Sequence, residues 1–416
     1  MSGMARLFVF DDARARAWAP HSLTRPVGEI LHGCMTLRER VEHAFGLPCE
    51  GHVVGEALVG FDEPGASRAV PAAALDTRGV RIFVSSRAAL DLERVQVPAG
   101  GCRLTLDGVC VGWVVPDGAP VPPATWLDDP DASGAGAALA LSGALLGRPW
   151  DLIAQNPERI RQDLALLWPE DAAPSGPVRI GGGVLSVAPG AVIEPGVYVD
   201  TTDGPVRLSE GVRVHGPARL TGPLFVGART RILGGSVGTS TIGPVSLVRG
   251  EVADSVFLGY TNKAHDGYVG HALVGRWVNF GAFTTNSDLK NNYGPVSVWA
   301  PDGAGDGGAT GGDIDTGLIK VGCFLGDHVK TGIGTVLNTG TVIGAGSNVF
   351  GGLMPPDTVP PFSWGAGASL GTHRLDKFLE TAERAMARRG QDLTPGVRAV
   401  LERASRAGAA SRSAES

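Results

Sequence analysis

Residues 319–354 consist of IKVGCF, LGDHVK, TGIGTV, LNTGTV, IGAGSN and VFGGLM when the chain is written in groups of six. An aliphatic residue opens five of the six groups, glycine is frequent at the second position, and the fifth position is often small or β-branched. The same phase is present upstream in VAPGAV from Val187, in LSEGVR from Leu208 and in YVGHAL from Tyr268. Chance rarely sustains one phase over so many groups, so the chain contains a hexapeptide repeat.

This six-residue period predicts a left-handed parallel β-helix from Val178 to Leu370. Each hexapeptide would supply one short strand and one corner, and three hexapeptides would close a triangular coil. The first side chain of each group would point inward, while glycine at the second position tolerates the positive φ of a corner. A single coil cannot bury its apolar face, so the coils must stack on one another.

Two segments break the phase, residues 249–267 and residues 287–317. The second segment contains WAPDGAGDGGATGGD, which carries no strand signal. Long insertions in a compact fold are usually functional or disordered. We expect the stretch from Asp302 to Asp313 to be a linker, because it lacks the residue spacing of a calcium-binding loop.

The flanking sequence predicts three further parts. Residues 1–148 contain strand candidates such as LFVF, VRIFVS and GHVVGEALVGF, and a helix candidate in LRERVEHAF, which together indicate a mixed α/β domain. Residues 149–176 are expected to form a connecting helix and a linker, and residues 177–371 the β-helix. Residues 372–416 are expected to form a C-terminal helix followed by a polar, disordered tail.

Composition narrows the classes of function. The chain has 416 residues, of which 62 are glycine, but the three-residue period of collagen is absent. The formal net charge of −6 argues against a nucleic acid or an anionic membrane as partner. Five scattered cysteines without a CxxC pair indicate neither a disulfide framework nor a zinc site. Since no signal peptide or long apolar run is present, we expect a cytoplasmic protein.

The most informative stretch is KAHDGYVGHALVGRWVNFGAFT, from Lys263 to Thr284. It contains HDGYVG at residues 265–270 and NFGA at residues 279–282. These residues resemble the acetyltransferase half of the bifunctional GlmU family, which acetylates glucosamine 1-phosphate and then uridylylates it. That family carries His-x-x-Tyr-x-Gly and Asn-x-Gly-Ala at the same spacing. The order of domains is also similar to that of sugar nucleotidyltransferases with a C-terminal hexapeptide domain.

The resemblance implies a role for each of the matching residues. His265 would be the general base that takes a proton from the sugar amine, and a free imidazole, with a pKa of roughly 6.5, is largely a base at neutral pH. Tyr268 and Asn279 would hold the sugar phosphate. Lys263 or Arg249 would neutralise the charge of that phosphate.

The resemblance also implies acetyl-CoA as a co-substrate and a homotrimer with its sites between subunits. Acetyl-CoA would lie in a groove against the glycine-rich coils, at Gly332, Gly351 and Gly352. Trp277 and Phe280 would then be core residues or trimer contacts. The function implied is transfer of an acyl group, acetyl first, from a CoA thioester to an amino-sugar phosphate or a nucleotide sugar. The alternative is a non-catalytic trimer that binds sugar nucleotides or serves as a scaffold.

The chain departs from the family at positions close to this site. Asp288 and Leu289 stand in place of an Asn-Tyr pair. Ile333 occupies the position of a serine in the CoA region, and Trp364 that of a late arginine.

The N-terminal domain departs further from the family. Sugar nucleotidyltransferases begin with a strand and a glycine-rich loop whose N–H groups cradle a nucleoside triphosphate, which is bound with Mg²⁺. Here the strand at residues 7–10 is followed by DDAR at residues 11–14, and the family's later Pro-Lys is echoed by Arg25-Pro26. We therefore interpret residues 1–148 as a divergent nucleotidyltransferase-like domain that has either lost activity or binds a different ligand.

Plainer interpretations exist for the charged residues of this domain. Arg14 and Arg25 would be solvated surface charges. Asp11 and Asp12 would cap the turn that follows the first strand.

A metal site is a further alternative for the histidines. γ-Class carbonic anhydrases share the β-helix and bind zinc through three histidines, for which His265, His271 and His328 are candidates. Their spacing differs from the His-x4-His of that family, so no metal is expected. His271 and His328 are instead expected at surface turns.

Overall fold

The computed structural model describes residues 5–98, 100–170, 176–301 and 311–415, with side chains described as far as residue 409. Over these residues the chain forms a mixed α/β domain, connecting helices, a parallel β-helix and C-terminal helices. This architecture confirms the predicted fold class. Within the described residues, no helix is long and apolar enough to cross a lipid bilayer.

The first domain is built on buried apolar strands and short helices, and the apolar run Leu7–Phe10 is almost completely buried. Its strands are β1 Arg6–Phe10, β2 Leu31–His32, β3 Met35–Thr36, β4 Cys49–Val53, β5 Ala69–Val70, β6 Arg81–Ser85, β7 Ala88–Leu90, β8 Cys102–Leu106, β9 Val109–Val115, β10 Ala138–Ala140 and β11 Gly143–Leu145. Its helices are α1 Ala13–Arg16, α2 Leu37–Phe45 and α3 Ala124–Asp128.

Seven of these strands form a mixed sheet in the order β10-β8-β9-β6-β1-β4-β5. The pairs of β1 with β4 and β6 are parallel, whereas β9 is antiparallel to β6 and β8. Thr36 is the N-cap of helix α2 and forms a reciprocal capping box with Glu39. Gly46, in the left-handed region, is its C-cap. The strand predicted over GHVVGEALVGF is correct only in its first residues, because Glu56–Leu58 is a 3-10 turn whose Leu58 packs toward the C-terminal helices.

The connecting segment forms two helices, α4 Asp151–Ala154 and α5 Asn156–Leu167. Trp150, which precedes α4, packs edge-on against Phe324 of the β-helix. The hydroxyl of Thr241 in the β-helix donates to the carbonyl oxygen of Gly33 at 2.7 Å. The first domain and the connecting helices therefore lie directly on one flank of the β-helix.

The β-helix consists of short strands that follow one another along the chain. They are β12 Val178–Ile180, β13 Leu185–Val187, β14 Val192–Ile193, β15 Val197–Asp200, β16 Val206–Leu208, β17 Arg213–Val214, β18 Ala218–Thr221, β19 Leu224–Val226, β20 Arg231–Gly238, β21 Thr241–Ile242, β22 Leu247–Ala253, β23 Val256–Phe257, β24 Asn262–Lys263, β25 Tyr268–Gly270, β26 Leu273–Val274, β27 Thr285–Asn286, β28 Ser297–Pro301, β29 Gly311–Asp315, β30 Phe324–Leu325, β31 Lys330–Thr331, β32 Val336–Leu337, β33 Val342–Ile343, β34 Asn348–Phe350, β35 Thr358–Val359, β36 Ser363–Ala366 and β37 Ser369–Thr372.

Strand pairing confirms that three hexapeptides make one coil. Phe324 pairs in parallel with Val342, which is 18 residues further along the chain. The residues that open the groups, such as Leu325 and Ile343, are fully buried in the interior. Ile319 is an exception, since it is 54% exposed and lies outside this core. Burial of apolar surface, at roughly 25 cal/mol per Å², stabilises the stack.

The two predicted interruptions differ in the structure. Strands continue through residues 249–267, because Thr241 pairs with Val256 after 15 residues and Val256 with Leu273 after 17. Uneven coils therefore lose the hexapeptide phase without losing the strand ladder. The second interruption is a true insertion, but β28 and β29 form an antiparallel hairpin where no strand was expected. Residues 302–310, most of the predicted linker, lie outside the described residues.

Two helices follow the β-helix, α6 Leu375–Ala387 and α7 Pro395–Glu415. The predicted disordered tail is wrong as far as Glu415, because α7 continues through it. The hydroxyl of Thr394 and the amide of Val397 both donate to Asp62 of the first domain. The C-terminal segment therefore returns to the first domain.

A buried group of charges joins the first domain to the β-helix. Arg25 contacts Glu63 at 3.0 Å and Asp327 at 2.9 Å, and Arg276 contacts Glu63 at 2.6 Å. The side chains of Arg25 and Asp327 are 3% and 4% exposed. Burial opposes ionisation of Asp327, but the Arg25 guanidinium outweighs it and holds the pKa of that carboxyl below its usual range. The interpretation of Arg25 as a solvated charge is therefore wrong.

Replacement of Arg25 should destabilise the whole chain. Arg25→Met would leave Asp327 and Glu63 buried without this cation, and breaking a buried ion pair costs about 3–5 kcal/mol. Urea denaturation of the full chain, followed by circular dichroism, measures the change. Arg14 is exposed, so Arg14→Met should stay within about 0.5 kcal/mol of the parent protein. Equal midpoints for the two variants would contradict the role given to Arg25.

Candidate functional site

A loop of residues 264–267 connects β24 to β25 and carries His265. Lys263 lies beneath this loop and is almost completely buried. Its Nζ donates to the carbonyl oxygens of Arg249, His265 and Gly267 at 2.6, 3.1 and 2.7 Å. Burial lowers the pKa of the Lys263 ammonium to about 8. Lys263 therefore fixes the path of the loop, and its charge faces backbone carbonyls.

His265 itself is exposed at the surface of this loop. Among the described residues, its imidazole has no hydrogen-bond or ion-pair partner. The side chain of Arg249 is close to the same loop, because its Nε lies 3.2 Å from Asp266 and its Nη1 donates to the carbonyl oxygen of Leu233. Arg249 is 47% exposed, so its guanidinium is accessible beside the loop.

Near this loop, Tyr268 lies in strand β25 and Asn279 in an isolated β-bridge. Each side chain already has a hydrogen-bond partner within the chain. The Tyr268 hydroxyl donates to Oδ2 of Asp288 at 2.6 Å. Asn279 accepts a hydrogen bond from the amide of Asn262, its neighbour in the preceding coil, at 2.7 Å. The residue that replaces the family's asparagine, Asp288, thus determines the surroundings of Tyr268.

Asp288 also binds His271, and sequence analysis missed this pair. Nδ1 of His271 lies 2.7 Å from the same Oδ2 that accepts from Tyr268. The hydrogen bond from His271, against the opposing effect of burial, lowers the pKa of Asp288. On its other side, Nε2 of His271 lies 3.9 Å from Asp254, whose pKa is raised by burial. The available signal was the departure at Asp288, which replaces an amide by a carboxylate.

The three candidate CoA-binding glycines lie together at one corner of neighbouring coils. A Cβ on Gly332 would lie 2.8 Å from the Cα of Phe350, so the close approach of the next coil requires glycine there. Gly351 and Gly352 have φ values of 86° and 64°, which favour glycine. The corner is exposed, and Ile333 at its surface is 73% exposed.

The other histidines occupy unlike environments. His328 is buried between Trp277 and Phe378, and burial lowers its pKa to about 3, so the expected surface position is wrong. His271 is only 16% exposed in its side chain, because it contacts Asp288. Trp277 and Phe280 are buried within the chain. Within the described part of the chain, no group of three or more His, Cys, Asp or Glu residues could hold a metal ion.

At the end of β1, the carboxylates of Asp11 and Asp12 make hydrogen bonds within the chain. Asp12 caps α1 by accepting from the amide of Ala15 at 2.8 Å, which confirms the capping interpretation for this residue. Asp12 also forms a buried ion pair with Arg87 at 2.8 Å. Asp11 accepts from the amide of Val27. The amides of Ala15 and Val27 therefore donate to the carboxylates of Asp12 and Asp11.

Removal of the Lys263 ammonium should loosen the loop that carries His265. Lys263→Met would leave three carbonyl oxygens without their donor, at a cost of about 2–4 kcal/mol. The unfolding midpoint should fall, and amide hydrogen exchange of residues 264–267 should accelerate. Lys377 is exposed and pairs only with Glu380, so Lys377→Met is the matched control and should change neither quantity. Unaltered exchange in Lys263→Met would contradict the anchoring role.

Comparisons with known proteins agree with the two-part organisation. Residues 7–170 match the family model described as sugar nucleotidyl transferase. A bifunctional sugar-1-phosphate nucleotidylyltransferase/acetyltransferase of Sulfurisphaera tokodaii is 28% identical over 214 residues, which cover 50% of this chain and 45% of that protein. The bifunctional protein GlmU of Methanococcus maripaludis is 32% identical over 97 residues, which cover 23% of this chain and 21% of that protein. The chain therefore matches less than half the length of either curated relative.

Two solved structures are similar to about half of this chain. The match to a UDP-N-acetylglucosamine acyltransferase has 20% sequence identity and a TM-score of 0.28. It covers 53% of this chain and 85% of the acyltransferase chain. The match to the N-acyltransferase AntD of Bacillus cereus has 17% sequence identity and a TM-score of 0.23. It covers 47% of this chain and 89% of the AntD chain. Because these TM-scores are low, the β-helix is assigned from the strand pairing within this chain. The chain thus joins a sugar nucleotidyltransferase domain to a hexapeptide β-helix, and it is a distant homologue of the bifunctional GlmU-like nucleotidyltransferase/acetyltransferases.

Proposed function

We propose that the β-helix transfers an acyl group, acetyl first, from a CoA thioester to the amine of an amino-sugar phosphate or nucleotide sugar. The observation that carries this proposal is the exposed His265, whose loop is held from below by Lys263. An anchored base with an accessible imidazole is suited to proton transfer. The curated relative from Sulfurisphaera tokodaii, named as a nucleotidylyltransferase/acetyltransferase, supports the same reaction class.

The chemistry assigns one step to each group. The sugar amine attacks the thioester carbonyl carbon, and His265 takes the proton that the nitrogen loses. The C–S bond then breaks, and the CoA sulfur leaves as a thiolate that takes up a proton. Arg249, which is half exposed beside the loop, attracts the phosphate of the acceptor. Tyr268 and Asn279 would contact the acceptor by exchanging their present partners for it.

An exposed apolar surface next to the loop supports assembly into a homotrimer. Phe283, Ile333 and Leu353 are 65%, 73% and 55% exposed. They occupy one corner of successive coils. This corner is next to the loop of His265, because the amide of Phe283 donates to the carbonyl oxygen of Asp266 in that loop. Large exposed apolar patches commonly mark protein interfaces. We propose that a neighbouring subunit covers this corner and that CoA lies along its glycines.

Nucleotidyl transfer to a sugar 1-phosphate is the second candidate function. The match of residues 7–170 to the sugar nucleotidyl transferase family supports it, with a nucleoside triphosphate and Mg²⁺ as further substrate and cofactor. The contacts of Asp11 and Asp12 within the chain oppose it, because carboxylates fill the position where backbone N–H groups would bind phosphate. We propose that this activity is weak or lost.

The first domain should therefore turn over nucleotides slowly. With UTP or dTTP, glucose 1-phosphate and Mg²⁺, the full chain should release pyrophosphate far below the roughly 1–10³ s⁻¹ typical of enzymes. A coupled phosphate assay after pyrophosphatase measures the rate, and reactions without the sugar phosphate supply the control. Turnover within the typical range would contradict the proposal.

Replacement of His265 should slow acyl transfer. His265→Ala should lower kcat by about 10²–10⁴-fold, the usual contribution of a positioned base, while the trimer and CoA binding are retained. Tyr268→Phe and Asn279→Ala should mainly raise KM. A thiol-release assay with glucosamine 1-phosphate and acetyl-CoA measures each rate, and light scattering measures the oligomeric state.

His215 supplies the matched control, because it is a partly exposed histidine of the β-helix that pairs only with Glu194. His215→Ala should retain the parent rate. Unchanged turnover in a folded His265→Ala protein would eliminate His265 as the base. If the parent protein releases no CoA with any amino-sugar phosphate, the non-catalytic binding trimer becomes the better interpretation.

A further inference from the structure

A cavity lies away from the His265 loop, on the flank where the connecting helices meet the β-helix. The cavity has a volume of about 230 Å³. Its apolar wall comes from both sides of the junction, and its polar edge carries one histidine and one lysine. The residues that matter are Trp150, Ile153, Leu318, Ile319, His271 and Lys320.

We propose that this cavity binds a single uncharged sugar ring, with a ring hydroxyl donating a hydrogen bond to Nε2 of His271. The apolar face of the ring would lie against Leu318 and Ile319, of which Ile319 is 54% exposed. Sugar rings combine an apolar face with hydroxyls at the edge, as this cavity combines an apolar wall with a polar edge. This site is independent of the acyl-transfer reaction.

The geometry of His271 prepares Nε2 to accept a hydrogen bond. Nδ1 lies 2.7 Å from the carboxylate of Asp288, which also accepts from the hydroxyl of Tyr268. In the neutral imidazole, the Asp288 carboxylate accepts from Nδ1–H and so selects the tautomer that carries the proton on Nδ1. Nε2 then offers a lone pair, and it has no hydrogen-bond partner among the described residues. The contact to Asp254, at 3.9 Å, is too long for a hydrogen bond.

The carboxylates near His271, which do not line the cavity themselves, disfavour a phosphate. Asp254 and Asp288 both lie next to His271, and Glu251 acts on Tyr268 nearby. Lys320 is the cation that lines the cavity, and its field acts on both aspartates. Carboxylates thus outnumber this ammonium, so a phosphate would be repelled, whereas a hydroxyl carries no charge to repel.

The size of the cavity restricts the ligand to one ring. Sites that enclose drug-sized ligands measure roughly 300–1,000 Å³, so 230 Å³ is too small to enclose a nucleotide. His271 lies beyond β25 from the loop of the proposed base, and its contact with Asp288 does not involve His265. Binding can therefore be measured without CoA, and its failure would leave acyl transfer untested.

Saturation-transfer difference NMR on the full-length protein, with N-acetylglucosamine as the probe, tests the proposal. The sugar should bind to the parent protein, and His271→Gln should weaken binding about 10-fold, as expected for loss of one hydrogen bond. Ala154 is exposed and lines the cavity, so Ala154→Phe should obstruct it without disturbing the polar cluster. His215→Gln is the matched control and should bind like the parent protein.

Each outcome decides the proposal. Loss of the NMR effect in both His271→Gln and Ala154→Phe, with the effect retained in His215→Gln, supports the cavity as the site. If His271→Gln fails to fold, Ala154→Phe alone gives the answer, because its substitution is at the surface. No NMR effect with the parent protein, or an equal effect in Ala154→Phe, would overturn it. N-acetylglucosamine 1-phosphate should compete poorly with N-acetylglucosamine. If the phosphate displaced the neutral sugar when present at a lower concentration than that sugar, the proposal would also be overturned.

Discussion

Stacking of inward apolar side chains between successive coils is the interaction on which the rest of the structure depends. It requires every coil to turn within a few residues, even where no glycine is available. Tyr260, Trp277 and His328 therefore share a left-handed corner, with φ values of 54°, 65° and 61°. Such a conformation costs about 1–2 kcal/mol for a residue other than glycine. The rings of Tyr260 and Trp277 stack at 4.2 Å, which offsets part of this cost and fixes the corner.

The straight flank of these coils provides a surface for the first domain, and this contact restricts what that domain can do. Arg25, which was expected to be a solvated charge, forms buried ion pairs with Glu63 and Asp327. Asp12 is similarly occupied by α1 and Arg87. These polar groups of the domain stabilise its own loops and its contact with the β-helix.

The sequence predicted those features that depend on local pattern and period. The β-helix, the first strand and helix α2 follow from residues a few positions apart. Contacts between distant residues had no such signal: Arg25 and Asp327 are separated by 302 positions. His328 is buried between Trp277 and Phe378, and the contact with Phe378 of α6 has no signal within the repeat. Likewise, the motif located His265 and Tyr268, but the partner of Tyr268 required the fold.

The replacement of asparagine by Asp288 has consequences beyond one hydrogen bond. A carboxylate at this position accepts hydrogen bonds from Tyr268 and His271 on a single oxygen and adds negative charge beside Tyr268. A phosphate at Tyr268 would therefore have to displace or neutralise Asp288, whereas a phosphate beside Arg249 would meet a half-exposed guanidinium. The charges within the chain therefore favour a proposed phosphate position beside Arg249 over one beside Tyr268.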